Sequence, residues 1–318
     1  MIDARTPARA WLLPFEDASA LYRFDGATLD RSLPLGASAL SPHAIDVESD
    51  TLCYALKSRA IVVRGALARD PLLCARINAP GEVTAVAIDG QHALVATDDP
   101  RHALGWSDLD SPERPVPAID LRRDNATIRW LSVDDDQVLA LALDKSRETA
   151  RWLSFERPLS ARKTSIRRAP VERAPLFFAP WQIGSDARRI ALVSESSARG
   201  MRVDVYDRRA LTLVDSLTVA WPRDQSRLAP TDGPAPQFQS LDLRDETLLV
   251  GFVHHGIAAV DCRAPRSDGA LVAPTASTTA TPSEPLVRAA LLSAGEALTC
   301  AQQGPSRYRV ERRSLVSD

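Results

Sequence analysis

One phrase recurs along this chain: an alternating strand, an acidic or glycine turn, a second strand rich in Leu, Val and Ala, then a third strand closing near an Asp. The clearest copies read VTAVAIDGQHALVATDDPRHALGWSDLD from Val83, IRWLSVDDDQVLALALDKSRETARWLSF from Ile128 and FQSLDLRDETLLVGFVHHGIAAVDCRAP from Phe238. Further opening strands are read at His43, Pro180 and Val287. Successive strand residues point to opposite faces. In second strands such as QVLALALD (from Gln137) both faces are apolar, so both must be covered. No helical periodicity longer than two turns competes with this pattern.

A strand-only unit returning every ~40–50 residues reads as the blade of a β-propeller. The fold class expected is therefore all-β, with seven blades of four antiparallel strands. The count is six if the N-terminal strands RAWLLPF, SALYRFDG and TLDRSLPLG only complete the last blade. That last blade also stops after three strands, so closure is expected to mix strands from both termini and to cover the sheet edge. Residues 1–318 read as one domain. Three connectors break the rhythm and are expected to be flexible surface loops: the basic 158–175, the Pro-rich 221–237 and the Ser/Thr/Ala/Pro-rich 264–285.

The 39 basic and 41 acidic residues nearly cancel, which excludes a global field drawing the chain to nucleic acid or a membrane. Only Lys57, Lys145 and Lys163 are lysines. Scattered Arg with abundant Ala suggests GC-rich bacterial coding. Cys53, Cys74, Cys262 and Cys300 are far apart, without a CxxC, and read as buried thiols. The N-terminus shows no apolar run of signal-peptide length, and no stretch is long enough for a membrane helix. A cytoplasmic location is expected.

Chemistry is harder to find. No GxSxG, P-loop, GxGxxG or HExxH is present, and Ser194 lacks a glycine frame. His254 and His255 are adjacent and would face opposite sides of a strand. Asp134, Asp135 and Asp136 do not continue as a calcium loop. Asp89 with Asp98, and Glu195 with Asp204, are conceivable carboxylate dyads. Neither a metal nor a cofactor is expected. The polar residues of the opening strands that could line a central channel are His43, Asp46, Arg129, Gln182, Asp242 and Arg288. The sharpest local charge is the basic stretch containing Arg162, Lys163, Arg167 and Arg168. It suits an acidic protein partner better than nucleic acid, because no aromatic is interleaved for base stacking.

The units VTAVAID…HALVAT, MRVDVYDRR and TLLVGFVHHGIAAVDCR resemble the WD-repeat-like and quinoprotein-like propellers over nearly the whole chain. Tyr206-Asp207 and Val260-Asp261 stand where true WD repeats carry Trp-Asp, and the Gly-His pair is missing. The resemblance implies docking of proteins on the rim and channel mouth. The functional expectation is a non-enzymatic scaffold for protein–protein interaction within a bacterial multi-protein system. The alternative is a lactonase-like hydrolase or a small-ligand binder using the channel.

Overall fold

The structure is a computed structural model. It describes residues 9–12, 20–25, 28–34, 45–48, 51–64, 72–110, 115–134, 137–144, 149–156, 165–176, 182–197, 200–220, 238–253, 256–262, 270–272, 276–278, 286–304 and 307–315. The strands form seven sheets in chain order. The first joins β1 (Arg9–Leu12), β2 (Ala20–Asp25) and β3 (Thr28–Pro34). The second holds β4 (Ile45–Glu48), β5 (Thr51–Leu56), β6 (Arg59–Arg64) and β7 (Leu72–Asn78). The third holds β8 (Val83–Asp89), β9 (His92–Thr97), β10 (Leu104–Asp108) and β11 (Val116–Ile119). The fourth holds β12 (Ala126–Val133), β13 (Gln137–Asp144), β14 (Ala150–Glu156) and β15 (Ile166–Pro170). The fifth holds β16 (Ile183–Ser185), β17 (Arg189–Ser197), β18 (Gly200–Asp207) and β19 (Leu213–Ala220).

The sixth opens with β20 (Phe238–Arg244), β21 (Thr247–Phe252) and β22 (Gly256–Asp261). Beyond β22, β23 (Ala270–Val272) crosses back to pair parallel with β19, and β24 (Ala276–Thr278) completes the sixth sheet. The seventh joins β25 (Leu286–Ser293), β26 (Glu296–Gly304) and β27 (Arg307–Ser314). Apart from β23, neighbouring strands within every sheet run antiparallel.

Two stretches expected as loops therefore carry strands: β15 within 158–175, and β23 and β24 within 264–285. An outermost strand needs only backbone pairing to one neighbour, so it can form without the apolar pattern that marks inner strands. The connector 221–237 lies outside the described residues. The N-terminal strands form a sheet of their own, and among the described residues none of them pairs with β25, β26 or β27.

Sheets pack face to face in succession, and the period of two explains how. In β13, Val138, Ala140 and Ala142 join the core shared with the third sheet, including Leu94, Leu104 and Ile119. The alternate residues Leu139, Leu141 and Leu143 join the core shared with the fifth sheet, including Ile190, Leu192 and Tyr206. Equivalent clusters join the second sheet to the third, the fifth to the sixth and the sixth to the seventh. Trp152 is fully buried between the fourth and fifth sheets. Its ring meets Trp130 edge-on at 6.2 Å and Tyr206 at 5.4 Å. The Tyr206 hydroxyl accepts the Glu172 N–H at 3.1 Å, and burial pushes its pKa up to about 12.

A backbone bond repeats with the units. The residue after the third strand donates its N–H to the carbonyl of the turn between the first two strands. The pairs are Leu109 to Gln91, Arg208 to Arg188, Cys262 to Glu246 and Leu315 to Gly295, at 2.7–2.8 Å. The first turn of the third sheet uses Gly90 at φ 58°. The equivalent turn in the sixth holds Asp245 and Glu246 at φ 47° and 67°, a left-handed conformation that costs free energy without glycine. Successive antiparallel sheets packed on both faces through five shared cores make this fold a β-propeller.

Candidate functional site

The first strands of neighbouring sheets lie side by side: β4 against β8, β8 against β12, β16 against β20 and β20 against β25. The channel candidates ride on this layer. Asp46 is on β4, Arg129 on β12, Asp242 on β20 and Arg288 on β25, while Gln182 directly precedes β16. Each belongs to a different sheet. His43, His254 and His255 lie outside the described residues. Among the described residues, no three His, Cys, Asp or Glu side chains gather as metal ligands would.

A register shift recurs near the start of four of these strands. It falls at Thr84, Arg129, Gln239 and Val287, each the second residue of a corresponding triplet. At such a shift the ladder steps by one residue. Arg129 stands at such a shift, whereas Arg288 stands one residue beyond the equivalent position and pairs with Cys300. Thr84 and Gln239 are buried, and Thr84 Oγ1 donates to the Ile128 carbonyl of the next sheet at 2.6 Å. The shifts escaped sequence reasoning because strands such as β8 and β20 are buried along nearly their whole length, so no alternation marks the extra residue.

Asp242 is tied to the chain's own backbone. Its Oδ1 accepts the Leu243 N–H at 2.9 Å, and its Oδ2 accepts the Leu291 N–H of β25 at 2.7 Å. Two residues earlier, Ser240 Oγ accepts the Ala289 N–H at 3.2 Å. Gly184 of β16 lies so close that a Cβ there would come within 3.0 Å of the Asp242 carbonyl carbon and the Leu243 nitrogen. Asp242 thus joins three sheets. Burial pushes its carboxyl up to about 6, against the opposing pull of the two N–H groups.

The conceivable dyads are not dyads. Asp89 pairs with His92 at one end of the β8–β9 hairpin, whereas Asp98 follows the other end and accepts the Glu82 N–H at 2.7 Å. Asp204 is fully buried and takes Ser216 Oγ at 2.5 Å and Arg202 Nε at 3.4 Å, while Glu195 is exposed and pairs across from Arg202. Ser194 Oγ is buried and has no hydrogen-bond partner among the described residues. Asp134 serves its turn by accepting the Gln137 N–H and holding Arg208 at 3.2 Å.

The partner-binding candidates are partly committed inside the fold. Arg167 donates to the carbonyls of Arg209 and Ala210, in the turn between β18 and β19 of the fifth sheet, at 3.1 and 2.7 Å. Arg168 reaches Asp124 at 3.0 Å. Arg162 and Lys163 lie outside the described residues.

A hollow not anticipated from the sequence lies where the third sheet passes to the fourth. Its volume is 550 Å³ and its lining includes Asp120, Arg122 and Arg123. The Asp120 carboxylate grips Arg122 through Nε at 2.8 Å and a terminal nitrogen at 2.6 Å. This hydrogen bonding holds the Asp120 pKa below its usual value and raises that of Arg122. The Leu121 N–H, donated to the Pro100 carbonyl at 2.8 Å, ties the loop to the short 3-10 turn Pro100–His102. There Asp99 accepts the Arg101 N–H at 3.0 Å and shares a 2.9 Å bond with His102 Nδ1, which lowers the Asp99 pKa. Next along the loop, Asp124 holds Arg151 at 3.1 Å as well as Arg168 at 3.0 Å. The one sequence signal for this hollow is the Arg pair flanked by acids in DLRRDN, from Asp120.

No family model matches the chain, and no curated protein matches it. Solved structures do. The crystal structure of BamB from Moraxella catarrhalis matches over 96% of this chain and 94% of its own, with TM-score 0.54 and 10% identity. A protein of unknown function from Bacteroides caccae matches over 81% and 91%, with TM-score 0.48 and 11% identity. The likeness to BamB agrees with the β-propeller fold. At such identity it describes the fold alone, and propellers host unrelated functions.

Proposed function

We propose that this propeller is a non-catalytic scaffold for protein–protein contacts within a multi-protein system. The observation that carries the reading is the contrast between the inner-strand carboxylate and the loop surface. Asp242 directs both oxygens at backbone N–H groups of its own chain, whereas Arg122 and Arg123 line an open hollow. The likeness to BamB over 96% of this chain supports a propeller running through it. On this reading the seven sheets are seven blades, with the first and last meeting at closure. A channel hydrolase is served less well, because Asp242 as a general base would have to release two backbone donors.

The test is affinity capture of the tagged full chain from its native host, read by mass spectrometry. A stoichiometric partner retained at moderate salt is expected. A clean monomer that instead turns over an ester or lactone would overturn the scaffold reading.

A further inference from the structure

We infer that the hollow beside Asp120 is a docking site for acidic side chains of a partner protein, with Arg123 as the fork that receives a carboxylate. This rests on the scaffold reading and names the chemistry of its contact.

The loop that builds the hollow is held from several sides. Leu121 is fully buried in the core between the third and fourth sheets, and its N–H is fixed to Pro100. The Asp124 N–H returns to the Leu121 carbonyl at 3.0 Å, and Asn125 takes a left-handed φ of 47°. Asp124 is anchored by Arg151 and Arg168 of the fourth sheet. Arg122 and Arg123 are thus presented on a rigid platform, so little conformational entropy is lost on binding.

The charges in the hollow are unequal. Arg122 is neutralised by its ion pair with Asp120. Arg123 is exposed, and its guanidinium has no hydrogen-bond acceptor among the described residues. Its charge reaches Asp120 only through space. Arg101, on the turn tied to this loop, is also exposed. Among the lining residues named, Arg122 and Arg123 outweigh Asp120, leaving one excess positive charge. A guanidinium fork matches a carboxylate with two parallel hydrogen bonds. The volume of 550 Å³ falls in the ~300–1,000 Å³ range of ligand-sized sites.

The experiment titrates the full chain with a fluorescent hexaglutamate peptide at low salt, against hexaglutamine and inorganic phosphate. Hexaglutamate is expected to bind, hexaglutamine not to bind, and added salt to weaken the complex. Arg123→Gln is expected to weaken binding roughly tenfold or more, the worth of a lost charge-assisted hydrogen bond. Arg76→Gln, an exposed arginine on β7, controls for net charge and should leave binding unchanged. Equal loss in both variants, equal binding of hexaglutamine, or phosphate binding that the peptide cannot displace would overturn the inference. A host partner still captured by Arg123→Gln would overturn this site while leaving the scaffold standing. Absence of any partner from the wild type would count against the scaffold itself.

Discussion

Replacing Asp242 with Asn should change how stability depends on pH, with a sign opposite to that of an ordinary surface carboxylate. Burial raises the carboxyl from 3.8 to about 6 in the folded chain. Between those values the native state holds a proton that the unfolded chain has lost. Stability from this group is therefore full below about pH 4 and is lost as pH rises through about 6. The full shift corresponds to about 3 kcal/mol, at 1.36 kcal/mol per pKa unit. Integrated from about pH 4.5 to about pH 7.5, linkage gives about 2 kcal/mol. The assay is urea unfolding of wild type and Asp242→Asn at matched pH values, taking the difference at each. Asn cannot titrate, so the wild type should lose about 2 kcal/mol relative to the variant across that window. Arg244 and Asp186, whose charges also act on Asp242 in opposite directions, remain in both proteins and cancel in the difference. A constant difference would refute the reasoning. So would one that grows in favour of the wild type as pH rises, because the two backbone N–H groups would then outweigh burial.

Other outcomes follow from packing and turn geometry. Trp152→Ala, which empties the fully buried site between Trp130 and Tyr206, should cost about 3–5 kcal/mol in chemical denaturation. Arg208→Ala removes a buried guanidinium bonded to Asp134 and Ser132 and should cost about 2 kcal/mol, since a buried ionic contact is broken but Asp134 can still reach water. Lys57→Gly relieves a left-handed φ of 49° at an exposed turn and should raise stability by about 0.5–1 kcal/mol, visible as a higher Tm.

The first three strands of most units were legible because their residues carry the constraint locally. HALVAT and QVLALALD are apolar on both faces, and only a strand covered on both sides accounts for that. The fourth strands were not. In β15 and β11 the side chains are largely exposed, so the backbone, not the side-chain pattern, selects them. The connector 264–285, which holds β23 and β24, reads as a flexible surface loop, yet it supplies a short strand to each of two sheets. Asp242 stood out as a polar residue on an apolar strand. That it holds Leu291, 49 residues away, could not be read from the strand.

The sequence by itself determined the all-β class, the repeating unit and the residues that must be buried, because alternation and turn chemistry act within a few residues. Only the tertiary structure decided which polar residues serve the fold and which face outward. Arg167 is drawn into the next sheet, and Arg168 reaches Asp124, 44 residues earlier in the chain. Such partners are chosen by sheet-on-sheet packing over long separations, and no local pattern encodes them.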